Sequence, residues 1–195
     1  MPALSEAELI AAFAKFCQEA DFYAGFEELG PPDLPEHLEA LAILTGSPEK
    51  VTAFEAFGLT GNGSYVAFWQ PAGTPATQRL ICYLDSEGNS WGVFAASFAE
   101  FLTLLPYSIG LPDTILFHCT WLHRSPDSAP PLNVEELTEQ FVPMFTAEMA
   151  VECPSLPAYV EWLTQTVGLS VAARPVEQII DAYRSHPNLD DWLDA

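Results

Sequence analysis

The sequence predicts an α+β fold: a mostly antiparallel sheet of about four to six strands flanked by helices, with a helical C-terminal extension. Three observations carry this. Helix caps and 3.6-residue apolar spacing mark the N-terminal stretch. Short runs rich in aromatic and β-branched residues, divided by turn residues, form a sheet core over about 51–105. Helical spacing then returns over about 111–195. The strands are grouped and do not alternate with helices, which argues against βαβ repetition. A chain of 195 residues, 49% of them hydrophobic and 12% aromatic, is not generally disordered. It should bury roughly 70% of the surface its unfolded form exposes. With no fixed-period repeat and no long linker, residues 1–195 read as one domain.

Ser5-Glu6-Ala7-Glu8 is a capping box, in which the Ser5 hydroxyl serves the third amide and Glu8 reaches back to the Ser5 amide. Leu9, Phe13, Phe16 and Ala20 then share one face of a helix. Gly25, Gly30, Pro31, Pro32 and Pro35 break the stretch from Phe22 onward. Pro35 can open a second helix, where its missing N–H is not needed. Leu38, Leu41, Ala42 and Leu44 form its apolar side, and Gly46 ends it.

Strands follow at Phe54–Leu59, Ser64–Gln70, Arg79–Leu84 and Trp91–Ala95. Thr60-Gly61-Asn62-Gly63 and Asp85-Ser86-Glu87-Gly88-Asn89 supply turns, giving an antiparallel meander. Tyr65, Ala67 and Trp69 lie on one face of the second strand, Val66 and Phe68 on the other, so both faces are covered. Ser97-Phe98-Ala99-Glu100 repeats the capping chemistry ahead of Phe101, Leu102 and Leu105, and Pro106 stops that helix. It should lie on the sheet.

Ile115 to His123 reads as helix from a start at Pro112-Asp113, and the proline-rich Ser125–Pro131 as loop. Asn133 caps a helix carrying Val134, Leu137 and Phe141, which Pro143 kinks or ends. Leu156, Val160, Leu163 and Val167 mark another, closed by Gly168. Pro175 begins the last, with Val176, Ile179, Ile180 and Tyr183 inward.

The formal net charge is −21. Nucleic-acid binding needs a basic stripe to displace counterions, and docking on an anionic membrane needs basic clusters, so both are disfavoured. No run reaches the ~18 apolar residues of a membrane span. Acids stand where a signal peptide would carry positive charge, so a cytoplasmic protein is expected. Cys17, Cys82, Cys119 and Cys153 form no CxxC pair and read as unpaired structural thiols.

Gly88-Asn89-Ser90-Trp91-Gly92 matches the nucleophile-elbow pattern, but that motif needs a helix after the serine and a strand follows here. Ser90 therefore reads as a hairpin-turn residue. Cys119 and His123 have the i, i+4 spacing of paired metal ligands, yet His118 points elsewhere and neither zinc pattern completes the set. A Cys–His nucleophilic pair would have to be assembled from distant residues. No phosphate-binding loop precedes Lys15 or Lys50, and the calcium-loop start at Asp85 lacks its later ligands. No catalytic residue, metal or cofactor is expected.

Tyr83-Leu84-Asp85-Ser86-Glu87-Gly88, followed by Val93-Phe94-Ala95-Ala96-Ser97-Phe98-Ala99-Glu100-Phe101-Leu102-Thr103-Leu104-Leu105, resembles the core signature of the SUKH superfamily (Smi/Knr-type). That group takes in bacterial immunity proteins of toxin systems and fungal cell-wall-synthesis regulators. Gly61-Asn62-Gly63-Ser64-Tyr65-Val66-Ala67-Phe68-Trp69 is similar to its glycine turn and aromatic strand, and Glu28-Leu29-Gly30 with Leu34-Pro35 to its opening segment. The ending Ala182-Tyr183-Arg184 through Trp192-Leu193 is similar to the ends of some members. The resemblance spans about Phe26 to Leu105, and Asp85 departs from it where many members have glycine.

The resemblance implies a non-enzymatic protein-binding module: an immunity protein that occupies and blocks a cognate toxin. The charge supplies a mechanism, because a basic toxin meets a complementary field that steers association. Trp69, Asp85, Glu87 and Trp91 are the expected partner-binding residues, with Glu87 at the rim of an aromatic patch. A regulatory or scaffolding role is the alternative the resemblance also implies. A small hydrolase using Ser90 or a Cys–His pair is the second alternative.

Overall fold

Strand β1 (Phe26–Leu29), β2 (Phe54–Thr60), β3 (Tyr65–Trp69), β4 (Leu80–Leu84) and β5 (Trp91–Ala95) pair in chain order as one antiparallel meander. The computed structural model describes residues 4–29, 35–46, 48–71 and 79–195, with side chains from residue 39 in the second helix. Leu38, assigned to the apolar side of that helix, lies outside the described side chains.

The Ser5 capping box forms as the sequence requires. The Ser5 hydroxyl accepts from the Glu8 amide at 3.4 Å and the Glu8 carboxylate accepts from the Ser5 amide at 2.8 Å. It opens α1 (Glu6–Ala20), which buries Leu9, Phe13 and Phe16. Helix α2 (Pro35–Thr45) begins at the expected proline and buries Leu41.

Strand β1 was not expected from the sequence. Its four residues sit between glycines and contain two exposed acids, so no local period marks them. Pairing with β2 is what makes them a strand, and the outward Glu27 and Glu28 suit an edge that must not recruit another strand.

Side-chain alternation divides the sheet into two cores. Val66, Phe68, Ile81, Tyr83 and Phe94 point into the larger one, with α1, α3 (Phe98–Leu104), α4 (Gly110–Arg124), α5 (Val134–Glu152), α6 (Leu156–Trp162) and α7 (Pro175–Ser185). Tyr65, Ala67, Trp69, Leu80, Cys82 and Leu84 point into the smaller one, with α2 and α8 (Leu189–Asp194). Both faces are therefore dry, which is why β3 and β4 are apolar at every position.

The capping of α3 differs in one detail. Ser97 serves the Glu100 amide, but the Glu100 carboxylate returns to the Ala96 amide at 2.9 Å. Helix α5 continues through Pro143, because Leu137 before it and Phe145 and Met149 after it are buried in one core. In α6 the inward residue is Tyr159, whose hydroxyl donates to the Leu102 carbonyl at 2.7 Å, and Val160 is only half-buried.

Helix α7 is not the last. Asn188 caps α8 by accepting from the Asp191 amide at 3.1 Å. Helix α7 also closes the β5 edge, and Gly92 permits this approach: a Cβ there would lie 2.7 Å from the Tyr183 ring.

Candidate functional site

The β4–β5 turn is built around Asp85. Its carboxylate accepts the Asn89 amide at 2.7 Å and the Ser64 hydroxyl at 3.2 Å, and its carbonyl accepts the Gly88 amide at 3.0 Å. Gly88, at φ +76°, completes the reversal. Ser86 fastens this turn to its neighbour, donating its hydroxyl to the Asn62 carbonyl at 2.9 Å and its amide to Ser64 Oγ at 3.1 Å. Two hairpin turns thus form one rigid rim.

Behind the rim stands Asp113, in the first turn of α4. Burial raises its carboxyl pKa, while hydrogen bonds from Ser90 and Tyr83 partly counter this and the nearby Asp85 charge adds to it. Burial and the charge of Asp113 in turn push the Tyr83 phenol up to about 12. Asn62, Asp85, Glu87, Ser90, Asp113 and Phe117 line a cleft of about 380 Å³. Among the described residues none that lines it is basic.

Beside the cleft, Phe117 and Trp121 stand on the outer side of α4, exposed by 42% and 40%, with ring centroids 6.1 Å apart. An acidic hollow thus adjoins an exposed aromatic pair. Such a surface suits a partner that brings cationic and apolar groups together.

Of the residues expected at the partner surface, Glu87 is exposed at the tip of the turn. Asp85 is 6% exposed and organises the turn. Trp91 is half-buried, its indole N–H donating to the Asp85 carbonyl at 2.8 Å and its ring 6.0 Å from the Arg124 guanidinium. These three come together.

Trp69 does not join them. It pairs with Leu80, four residues along β3 from the Tyr65–Leu84 pair, so it lies ~13 Å towards the other end of the sheet. It is fully buried between Phe54 and Trp192. Trp69 is thus a core residue and not part of a partner surface, because α8, which the sequence does not announce, covers the face on which it stands. Its indole Nε1 finds no hydrogen-bond partner among the described residues.

Ser90 is 4% exposed, is bonded to Asp113 and is followed by β5, so the hairpin reading of its motif holds. Cys119 is buried, its thiol pushed up to about 12, while His123 binds Asp191 at 3.1 Å. The four cysteines are free, and among the described residues no three His, Cys, Asp or Glu converge on a metal position.

The sequence reading missed Asp113, Phe117 and Trp121. A signal existed: once α4 is a helix with Ile115, Leu116 and Cys119 buried, Phe117 and Trp121 fall four apart on another side. Comparison with protein-family models, curated proteins and solved structures finds no match. Among the described residues no helix is long and apolar enough to cross a membrane.

Proposed function

We propose that this chain is a non-enzymatic binding module of the SUKH immunity type, which neutralises a basic toxin by docking it on the rim formed by the β4–β5 turn and α4. The observation that carries the reading is the juxtaposition of Asp85, Glu87 and Asp113 with the exposed rings of Phe117 and Trp121. The antiparallel meander followed by an aromatic helix supports the resemblance, because that is the order the signature implies.

The division of labour follows from physics. A net charge of −21 speeds encounter with a cationic partner, and the aromatic pair then slows dissociation by excluding water. The turn is rigid before binding, so little ordering entropy opposes association.

The test is association kinetics with a basic toxin domain encoded beside this chain. The expected result is a tight complex whose on-rate falls at least tenfold between about 50 and 500 mM salt. A salt-independent on-rate, or no complex with that domain, overturns the reading.

A further inference from the structure

A second cavity lies at the opposite end of β4 from the Asp85 turn. Leu9, Phe13 and Phe16 fasten α1 into the larger core, where Phe13 and Phe16 meet Tyr159 and Trp162. The neighbouring stripe of α1 does not reach the sheet. Between them remains a hollow of about 420 Å³, walled by Ala7, Ala11 and Ala14 on one side and Phe57, Phe68 and Phe98 on the other. Its size and aromatic lining are those of a small-molecule pocket. Water within such walls finds few hydrogen-bond partners.

The mouth states which charge the occupant does not carry. Arg79 donates from Nε to Glu6 at 2.8 Å and from Nη1 to Glu55 at 2.6 Å, and its guanidinium lies 3.7 Å from the Phe68 ring. Among the described residues the one cation at the mouth is already held by two carboxylates, so an anionic headgroup would meet net negative charge. On the α1 side, the half-buried Cys17 stays a neutral thiol, burial having pushed it up to about 12.

We infer that the hollow between α1 and strands β2 and β3 binds an apolar small molecule that bears no anionic group, inserted with its apolar body against Phe57, Phe68 and Phe98. The site is separate from the toxin-docking rim. Ligand and partner can bind at the same time.

The test is titration of the full chain with N-phenyl-1-naphthylamine, a neutral dye that brightens in apolar surroundings. The expected result is saturable enhancement at one dye per chain. Ala14→Phe, which fills the hollow, and the milder Ala11→Leu each weaken binding about tenfold or more at unchanged circular dichroism. Lys15→Ala, on the exposed side of α1, leaves binding unchanged. 1-Decanol displaces the dye, and decanoate does so about tenfold less well. If Ala14→Phe fails to fold, Ala11→Leu decides. Absence of saturable enhancement, or unchanged binding in a folded filling variant, overturns the site. Decanoate competing as well as decanol overturns the exclusion of an anionic group.

Discussion

Arg124 grips Asp190 through two parallel hydrogen bonds, Nε to Oδ2 at 2.9 Å and Nη2 to Oδ1 at 2.7 Å, and gives Nη1 to the Gly88 carbonyl at 2.6 Å. One side chain of α4 therefore ties the last helix to the β4–β5 turn. The fork geometry of guanidinium suits this, and lysine could not reproduce it. The rim that carries Glu87 is held by Arg124, 36 positions along the chain from Gly88, and through it by Asp190, a further 66 positions on.

Arg124→Ala is expected to destabilise the protein by about 2 kcal/mol, less than a fully buried pair because the arginine side chain is 42% exposed. Asp190→Asn should lose less, and the double variant should show clear coupling in a mutant cycle. Urea denaturation followed by tryptophan emission measures this, since Trp91 lies beside the pair. Additive losses would mean the two residues act independently.

Asp113 makes the opposite prediction for stability. Its carboxyl titrates above the ordinary aspartate value of 3.8 in the folded chain, so between the two values the folded state holds more protons than the unfolded one. Stability is then lost as pH rises through that window and stays lower at neutral pH. Asp113→Asn is expected to raise the melting temperature at pH 7 and to converge with the parent chain below about pH 3.5. The same variant should weaken partner binding, which separates its role in the cleft from its effect on folding.

Phe117→Ser and Trp121→Ala remove exposed rings, so each should change stability by only about 0.5 kcal/mol. Each should nonetheless lower affinity for the proposed basic partner about tenfold or more, chiefly through faster dissociation. Glu87→Lys should instead slow association, most strongly at low salt. Surface plasmon resonance at two salt concentrations distinguishes these outcomes.

Trp69→Ala should destabilise by about 3–5 kcal/mol, because it empties the centre of the smaller core between Phe54 and Trp192. In variants that still fold, binding should be unaffected. Equal damage to binding and stability would return Trp69 to the partner surface.

Much of the frame was legible locally. The Ser5 and Asn133 caps, the proline starts at Pro35 and Pro175, the two glycine turns and the period-two alternation of Tyr65–Trp69 each act within a few residues, and each produced the expected element. Strand β1 and helix α8 were illegible for the converse reason. Four residues flanked by glycines and six residues after Pro187 have too little period to declare themselves, and they exist because β2 and the smaller core stabilise them. The candidate site was half legible: the turn announced Asp85 and Glu87, whereas Asp113 and the Phe117–Trp121 pair come from α4, which only packing brings there.

The sequence alone determined the class of fold, the meander, the caps and the acidic charge, because hydrogen-bond periodicity, turn stereochemistry and composition are local or additive. Tertiary structure decided which tryptophan is buried, which helix backs the turn and where hollows remain. Those outcomes depend on how surfaces distant in the chain fit together, and burial is a property of the pair in contact, which neither segment carries by itself.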